Sequence, residues 1–70
     1  MSKANHFEKV PIPQKLNLTI REAAEYSNIG INHLSNMLND PYCPFVLFNG
    51  NRKLVKRIEF EKYLSESRTI

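Results

Sequence analysis

The chain has 70 residues, a net charge of +3 and a single cysteine, Cys43. A chain this short makes one domain, burying only about 60% of the surface its unfolded form exposes, and has no room for a deep substrate cleft beside its core. An intramolecular disulfide is excluded, no apolar run approaches the ~18 residues of a membrane span, and the N-terminus lacks a signal-peptide core, so the expected compartment is the cytoplasm.

The charge is unevenly spread. Asn49 to Arg57 contains Arg52, Lys53, Lys56 and Arg57 with no acidic residue, which makes that stretch +4 and the rest of the chain −1. A local basic run suits a polyanionic partner, most often nucleic acid, although lysines also keep exposed strand edges soluble. His6, His33 and Cys43 are isolated from one another and from any set of metal ligands, so no metal or other cofactor is expected. Cys43 reads as a small half-buried hydrophobe.

In chain order, residues 1–14 read as a flexible tail. The first nine are polar, and Val10-Pro11-Ile12-Pro13 enforces an extended path incompatible with helix. Val10 and Ile12 are placed to pin the chain against the domain. A basic arm using Lys3 and Lys9 is a weaker functional reading of the same tail, because termini tend to be disordered. The domain proper should cover residues 15–66, with 67–70 frayed. Lys15-Leu16-Asn17-Leu18-Thr19 alternates polar and apolar as a short strand with Leu16 and Leu18 inward.

Thr19 then starts a helix. Glu22, three residues on, completes a capping box in which each side chain satisfies the other's backbone amide. Ile20, Ala23, Ala24 and part of Tyr26 form the inner side, and the two alanines let a second helix approach closely. Ser27-Asn28-Ile29-Gly30 breaks the helix. Asn28 suits a left-handed residue at the helix end, Ile29 an apolar pin under both helices, and Gly30 the next N-cap. The second helix should run from about Ile31 to Asn39, with Leu34, Met37 and Leu38 buried at i, i+3, i+4 spacing.

The opposite face of that second helix carries Asn32, His33, Ser35, Asn36 and Asn39. All form hydrogen bonds and none is a strong charge. A merely solvated face usually carries Glu and Lys, which favour helix and solubility. Asn pairs bidentately with adenine, and Ser or His reaches base edges or phosphates. Two helices over a tight turn, with such a face on the second, read as a helix-turn-helix whose second helix enters a DNA groove.

Asp40-Pro41-Tyr42-Cys43-Pro44 is a loop. Phe45-Val46-Leu47-Phe48 is a strand forming the apolar body of a hairpin, and Asn49-Gly50 is a strong turn signal. The return strand, roughly Asn51 to Lys56, carries the basic residues. Beside a helix-turn-helix, this hairpin reads as a wing against the sugar-phosphate backbone or minor groove. Arg52 is its groove candidate, and Lys53, Lys56 and Arg57 are its phosphate clamps. The last helix, about Ile58 to Ser65, has Phe60, Tyr63 and Leu64 on one face with Ile58 at its start, and an acidic surface suited to packing behind the domain. The fold class is therefore α+β: a small winged helix-turn-helix with a three-stranded antiparallel sheet and about three helices.

Residues Leu18 to Tyr26, Ile29-Gly30, Leu34, Asn49-Gly50-Asn51-Arg52, Lys56-Arg57 and Phe60-Glu61-Lys62 together resemble the excisionases of conjugative transposons. The resemblance covers about Leu16 to Leu64, and its most specific part is the hairpin tip with the Lys-Arg and Phe-Glu-Lys that follow. It implies a MerR-like winged helix that binds double-stranded DNA near the ends of a mobile element. It also implies DNA bending, help for a tyrosine recombinase (the integrase) in excision, and no catalytic residues. By position, the recognition helix is Ile31, Asn32, His33, Ser35, Asn36 and Asn39. The wing is Asn49, Gly50, Asn51, Arg52, Lys53, Lys56 and Arg57, and Thr19 and Arg21 are phosphate contacts at the first helix. Related excisionases carry more Lys and Arg on the recognition helix, so the phosphate-binding share falls here to the wing.

If all four wing cations meet phosphates, log K should fall with log salt with a slope of roughly −3.6. Arg52→Ala and Lys56→Ala should then weaken binding to all sequences alike. Such a protein is expected to be a monomer in solution, with several copies on adjacent sites. Two other readings use the same scaffold. A small transcriptional regulator would act at a promoter, and a protein-interaction module would work through the acidic helix. An enzyme is disfavoured, because His33 has no nucleophile, base or metal partner at a motif spacing.

Overall fold

The computed structural model describes residues 10–70. The suggested arm at Lys3 and Lys9 lies outside the described residues. Strand β1 (Asn17–Leu18) is followed by helices α1 (Ile20–Ser27) and α2 (Ile31–Leu38), strands β2 (Val46–Asn49) and β3 (Arg52–Lys56), and helix α3 (Arg57–Ser65). The strands form one antiparallel sheet in the order β1-β3-β2. This is the expected α+β winged helix-turn-helix with three helices and three strands.

Ahead of β1, Ile12–Gln14 makes one turn of 3-10 helix. An extended path was expected there. Proline opposes helix mainly by lacking an N–H, and in a first turn that N–H has no partner to lose. Ile12 packs against the core, whereas Val10 is exposed.

The local signals around α1 act as their chemistry dictates. The Thr19 hydroxyl accepts from the Glu22 amide at 3.1 Å, and the Thr19 amide donates to Glu22 Oε1 at 3.0 Å. Asn28 ends the helix at φ 64° and ψ 26°, the left-handed region that asparagine tolerates. Gly30 is the N-cap of α2 with no side-chain cap bond.

The core is Leu18, Ala23, Leu34, Leu38, Phe45, Val55 and Phe60, each with at most 2% of its surface exposed. Ile29, Met37 and Cys43 pack against it. Burial pushes the Cys43 thiol pKa up, which fits an inert apolar filler and not a reactive thiolate. Phe45 sits between the Phe60 and Tyr63 rings at centroid distances of 5.0 and 5.2 Å, tilted by 54° and 57°, and so fastens α3 beneath the sheet.

Leu16, expected to face inward, is outside at 70% exposed, and Ile58 at the start of α3 is 54% exposed. The chain bends at Leu16, and β1 comprises only Asn17 and Leu18, so the alternation that buries Leu18 does not reach back to Leu16. Ile58 lies in the first turn of α3, two residues from the buried Phe60 and so on a different side of the helix.

Candidate nucleic-acid interface

Helix α2 presents Ile31, Asn32, His33, Asn36 and Asn39 to solvent, with Ser35 half-buried, while Leu34 and Leu38 anchor its other side. Asn39 is the C-cap, one residue beyond the helix proper, and its amide donates to Ser35 O at 3.1 Å. The six residues singled out in the sequence therefore lie on or just past one short helix whose apolar side is fixed by the core.

The hairpin turns through Gly50 and Asn51, with Asn49 opposite Arg52. Gly50 has φ 63°, and among the described residues the only other left-handed position is Asn28. One positive φ, at the first of the two loop residues, is the type II′ pattern. The type I′ turn, with which Asn-Gly is associated, needs two. The Asn-Gly signal thus found the hairpin one residue out of frame: the loop is Gly50-Asn51, and Asn49 belongs to β2.

Strand alternation divides the basic residues. Lys53 and Val55 share the face that packs on the helices, whereas Arg52, Leu54 and Lys56 share the other. The Lys53 ammonium donates to the side-chain oxygen of Asn39, which joins the wing to the C-cap of α2. Arg52 is exposed beside the turn. Lys56 is at the far end of β3, opposite Asn17, in a shallow hollow with Leu16, Leu47, Ile58 and Glu59. It lies four residues along the strand from Arg52, about 13 Å away.

Arg57 is not part of the wing. It is the first residue of α3, its Nε donates to Lys15 O at 2.7 Å, and its guanidinium pairs with Glu61 at 3.0 Å. Glu61 also accepts from the Tyr26 hydroxyl. The bonds from Tyr26 and Arg57 hold the Glu61 carboxyl below its ordinary pKa, and the same Glu61 bond raises the Tyr26 phenol. Lys15 pairs with Glu22, whose pKa is lowered by that bond and by the Thr19 amide. These residues lace the N-terminal segment, α1 and α3 together. At the start of α1, Arg21 is exposed, while Thr19 already spends its hydroxyl as an acceptor for the cap.

Phe48, counted in the sequence as part of the hairpin's apolar body, is 66% exposed and lies directly opposite Lys53. Strand pairing carries the signal that sets it apart: Phe48 shares a face with the buried Val55 yet lies beyond the helices. Among the described residues there is no group of three or more His, Cys, Asp or Glu placed to hold a metal, and no helix is long and apolar enough to cross a membrane.

A short uncharged helix face beside a basic hairpin is common to many small DNA-binding domains; similarity to known proteins narrows the choice. The profile of the family described as "Excisionase from transposon Tn916" matches residues 4–70. The chain belongs to this excisionase family. An excisionase from transposon Tn916 of Streptococcus agalactiae serotype V is 38% identical over 56 residues, spanning 79% of this chain and 84% of that relative. The matched region of the family takes in the helix-turn-helix, the hairpin and α3 together, so it includes both α2 and the basic hairpin.

Proposed function

We propose that this protein is a DNA-binding excisionase, acting in the cytoplasm, that promotes release of an integrated mobile element without doing chemistry itself. In this reading α2 lies in the major groove. Asn32 and Asn36 read base edges, with His33, Ser35, Asn39 and the exposed Ile31 filling the contact. Arg52 and Lys53 at the wing and Arg21 at α1 neutralise flanking phosphates, and Gly50 and Asn51 let the hairpin tip approach the backbone closely. The observation that carries the reading is the Lys53–Asn39 bond, which couples the basic hairpin to the uncharged helix face as one surface.

Three phosphate contacts predict a salt slope of about −2.7, which suits a modest-affinity monomer strengthened by neighbouring copies on adjacent sites. Bending the duplex lets α2 and the wing engage it together and offers a shaped substrate to a tyrosine integrase. Binding of the purified protein to element-end DNA and to scrambled DNA, together with excision in cells carrying or lacking its gene, tests the reading. No preference for element ends, with excision unchanged by loss of the gene, would overturn it. Promoter binding with altered transcripts and unchanged excision would indicate a small regulator instead.

A further inference from the structure

The hairpin leaves one large apolar side chain unexplained by packing. Phe48 pairs with Lys53 across the hairpin, two residues along β2 from Val46, which packs against the core. It therefore lies on the helix-facing side of the sheet, yet it is 66% exposed. Single exposed aromatics are ordinary on protein surfaces, so exposure alone says little.

Two further observations fix the surroundings of this ring. Between Asp40 and Glu59 the sequence has no acidic residue, so the charged residues of the hairpin are the cations Arg52, Lys53 and Lys56 of β3. Lys53, directly opposite Phe48, is bonded to Asn39 at the C-cap of α2, so ring, ammonium and reading helix belong to one side of the molecule. A protein partner for an exposed aromatic would have to tolerate this uncompensated positive charge. A nucleic-acid backbone matches it, because charged phosphates alternate there with apolar deoxyribose faces.

We propose that Phe48 is a DNA-contact residue of the wing, its ring packing on deoxyriboses of the groove next to the one that α2 occupies. Lys53 and Arg52 take the phosphates on either side. The ring adds grip that does not depend on counterion release, and this complements a reading helix that carries no lysine or arginine. The inference rests on the DNA-binding reading above and deepens it by assigning an apolar share of the contact to a residue of β2.

The test uses the full chain with an element-end duplex and a scrambled duplex, titrated over a range of salt. Phe48→Ala should lose about tenfold in affinity for both duplexes with the salt slope unchanged, since an apolar contact releases no ions; Lys53→Ala should lower the slope by about 0.9. Phe48→Leu, which keeps apolar bulk, should recover most of the loss. In the wild-type complex the ring protons should show NMR contacts to deoxyribose protons, a readout that does not depend on any variant folding. Wild-type affinity for Phe48→Ala, or a ring without sugar contacts, would overturn the inference while leaving the DNA reading intact. So would unchanged binding to naked DNA with excision lost, which would assign the ring to a protein partner. Failure of the wild type to bind either duplex would instead overturn the DNA reading itself.

Discussion

Arg52 and Arg57 lie five residues apart in one basic run, and their surroundings are opposite. Arg57 belongs to a side of the molecule where charges satisfy one another: Lys15 with Glu22, Arg57 with Glu61 and the Lys15 carbonyl, Tyr26 with Glu61. Arg52 belongs to a side where, among the described residues, the cations meet no carboxylate and Lys53 touches only the neutral Asn39. One side spends its charge on holding the N-terminal segment, α1 and α3 together. The other leaves its charge available. A count of basic residues treats both arginines alike, whereas in the structure Arg57 is bonded within the fold and Arg52 is exposed.

The largest effect that would break this contrast is on stability. Arg57→Ala should cost about 2 kcal/mol, because it removes a charge-assisted bond to a backbone carbonyl and leaves that carbonyl half-buried without its donor. Arg52→Ala should stay within about 0.5 kcal/mol, as exposed surface changes do. Urea unfolding of the two variants compares them directly; equal costs would erase the distinction. For binding the order reverses. Arg52→Ala should lower the salt slope by about 0.9, whereas Arg57→Ala, measured well below its unfolding midpoint, should leave the slope unchanged. Lys56→Ala should resemble Arg57→Ala in this respect, since Lys56 lies at the far end of β3 from the turn, opposite Asn17.

Between these lies α2, the proposed reading helix. Asn36→Ala or Asn32→Ala should cost about 1–3 kcal/mol in discrimination between element-end and random DNA, with little change on random DNA. Competition footprinting separates the two, and equal losses on both would remove these asparagines from recognition. The smallest expected effect is in acid. Because the Glu22 carboxyl titrates below its usual range in the folded state, its contribution to stability is present above the unfolded carboxylate value, about pH 4. That contribution is lost as pH falls through the lowered folded value. The gap in melting temperature between wild type and Glu22→Gln should therefore narrow from pH 6 to pH 3.

Much of the fold was legible because its decisive steps are local. Thr19 and Glu22 cap one another across a single turn, Asn28 supplies one left-handed residue, and Gly50 turns the hairpin; each choice is made within four residues of chain. The apolar spacing of Leu34, Met37 and Leu38 likewise fixed which side of α2 faces out. What escaped was set by partners distant in sequence. The hydrogen bond that removes Arg57 from the wing spans 42 residues, and the one tying Lys53 to Asn39 spans 14. The Tyr26–Glu61 bond spans 35. No window along the chain contains these pairs. Leu16 failed for a different reason: alternation predicts an inward side chain only while the strand lasts, and this strand lasts two residues.

That brevity has a bearing on solubility. β3 lies in the middle of the sheet only because Asn17 and Leu18 pair with Lys56 and Val55 on the side away from β2. Without them, the hydrogen-bonding groups of β3 would form an open edge able to template a strand from another molecule. Two residues thus act as an edge guard, held in register by the Arg57 amide donating to Leu16 O at 3.1 Å. A chain shortened to begin at Thr19, which also loses the core residue Leu18, should both melt lower and show concentration-dependent self-association detectable by light scattering.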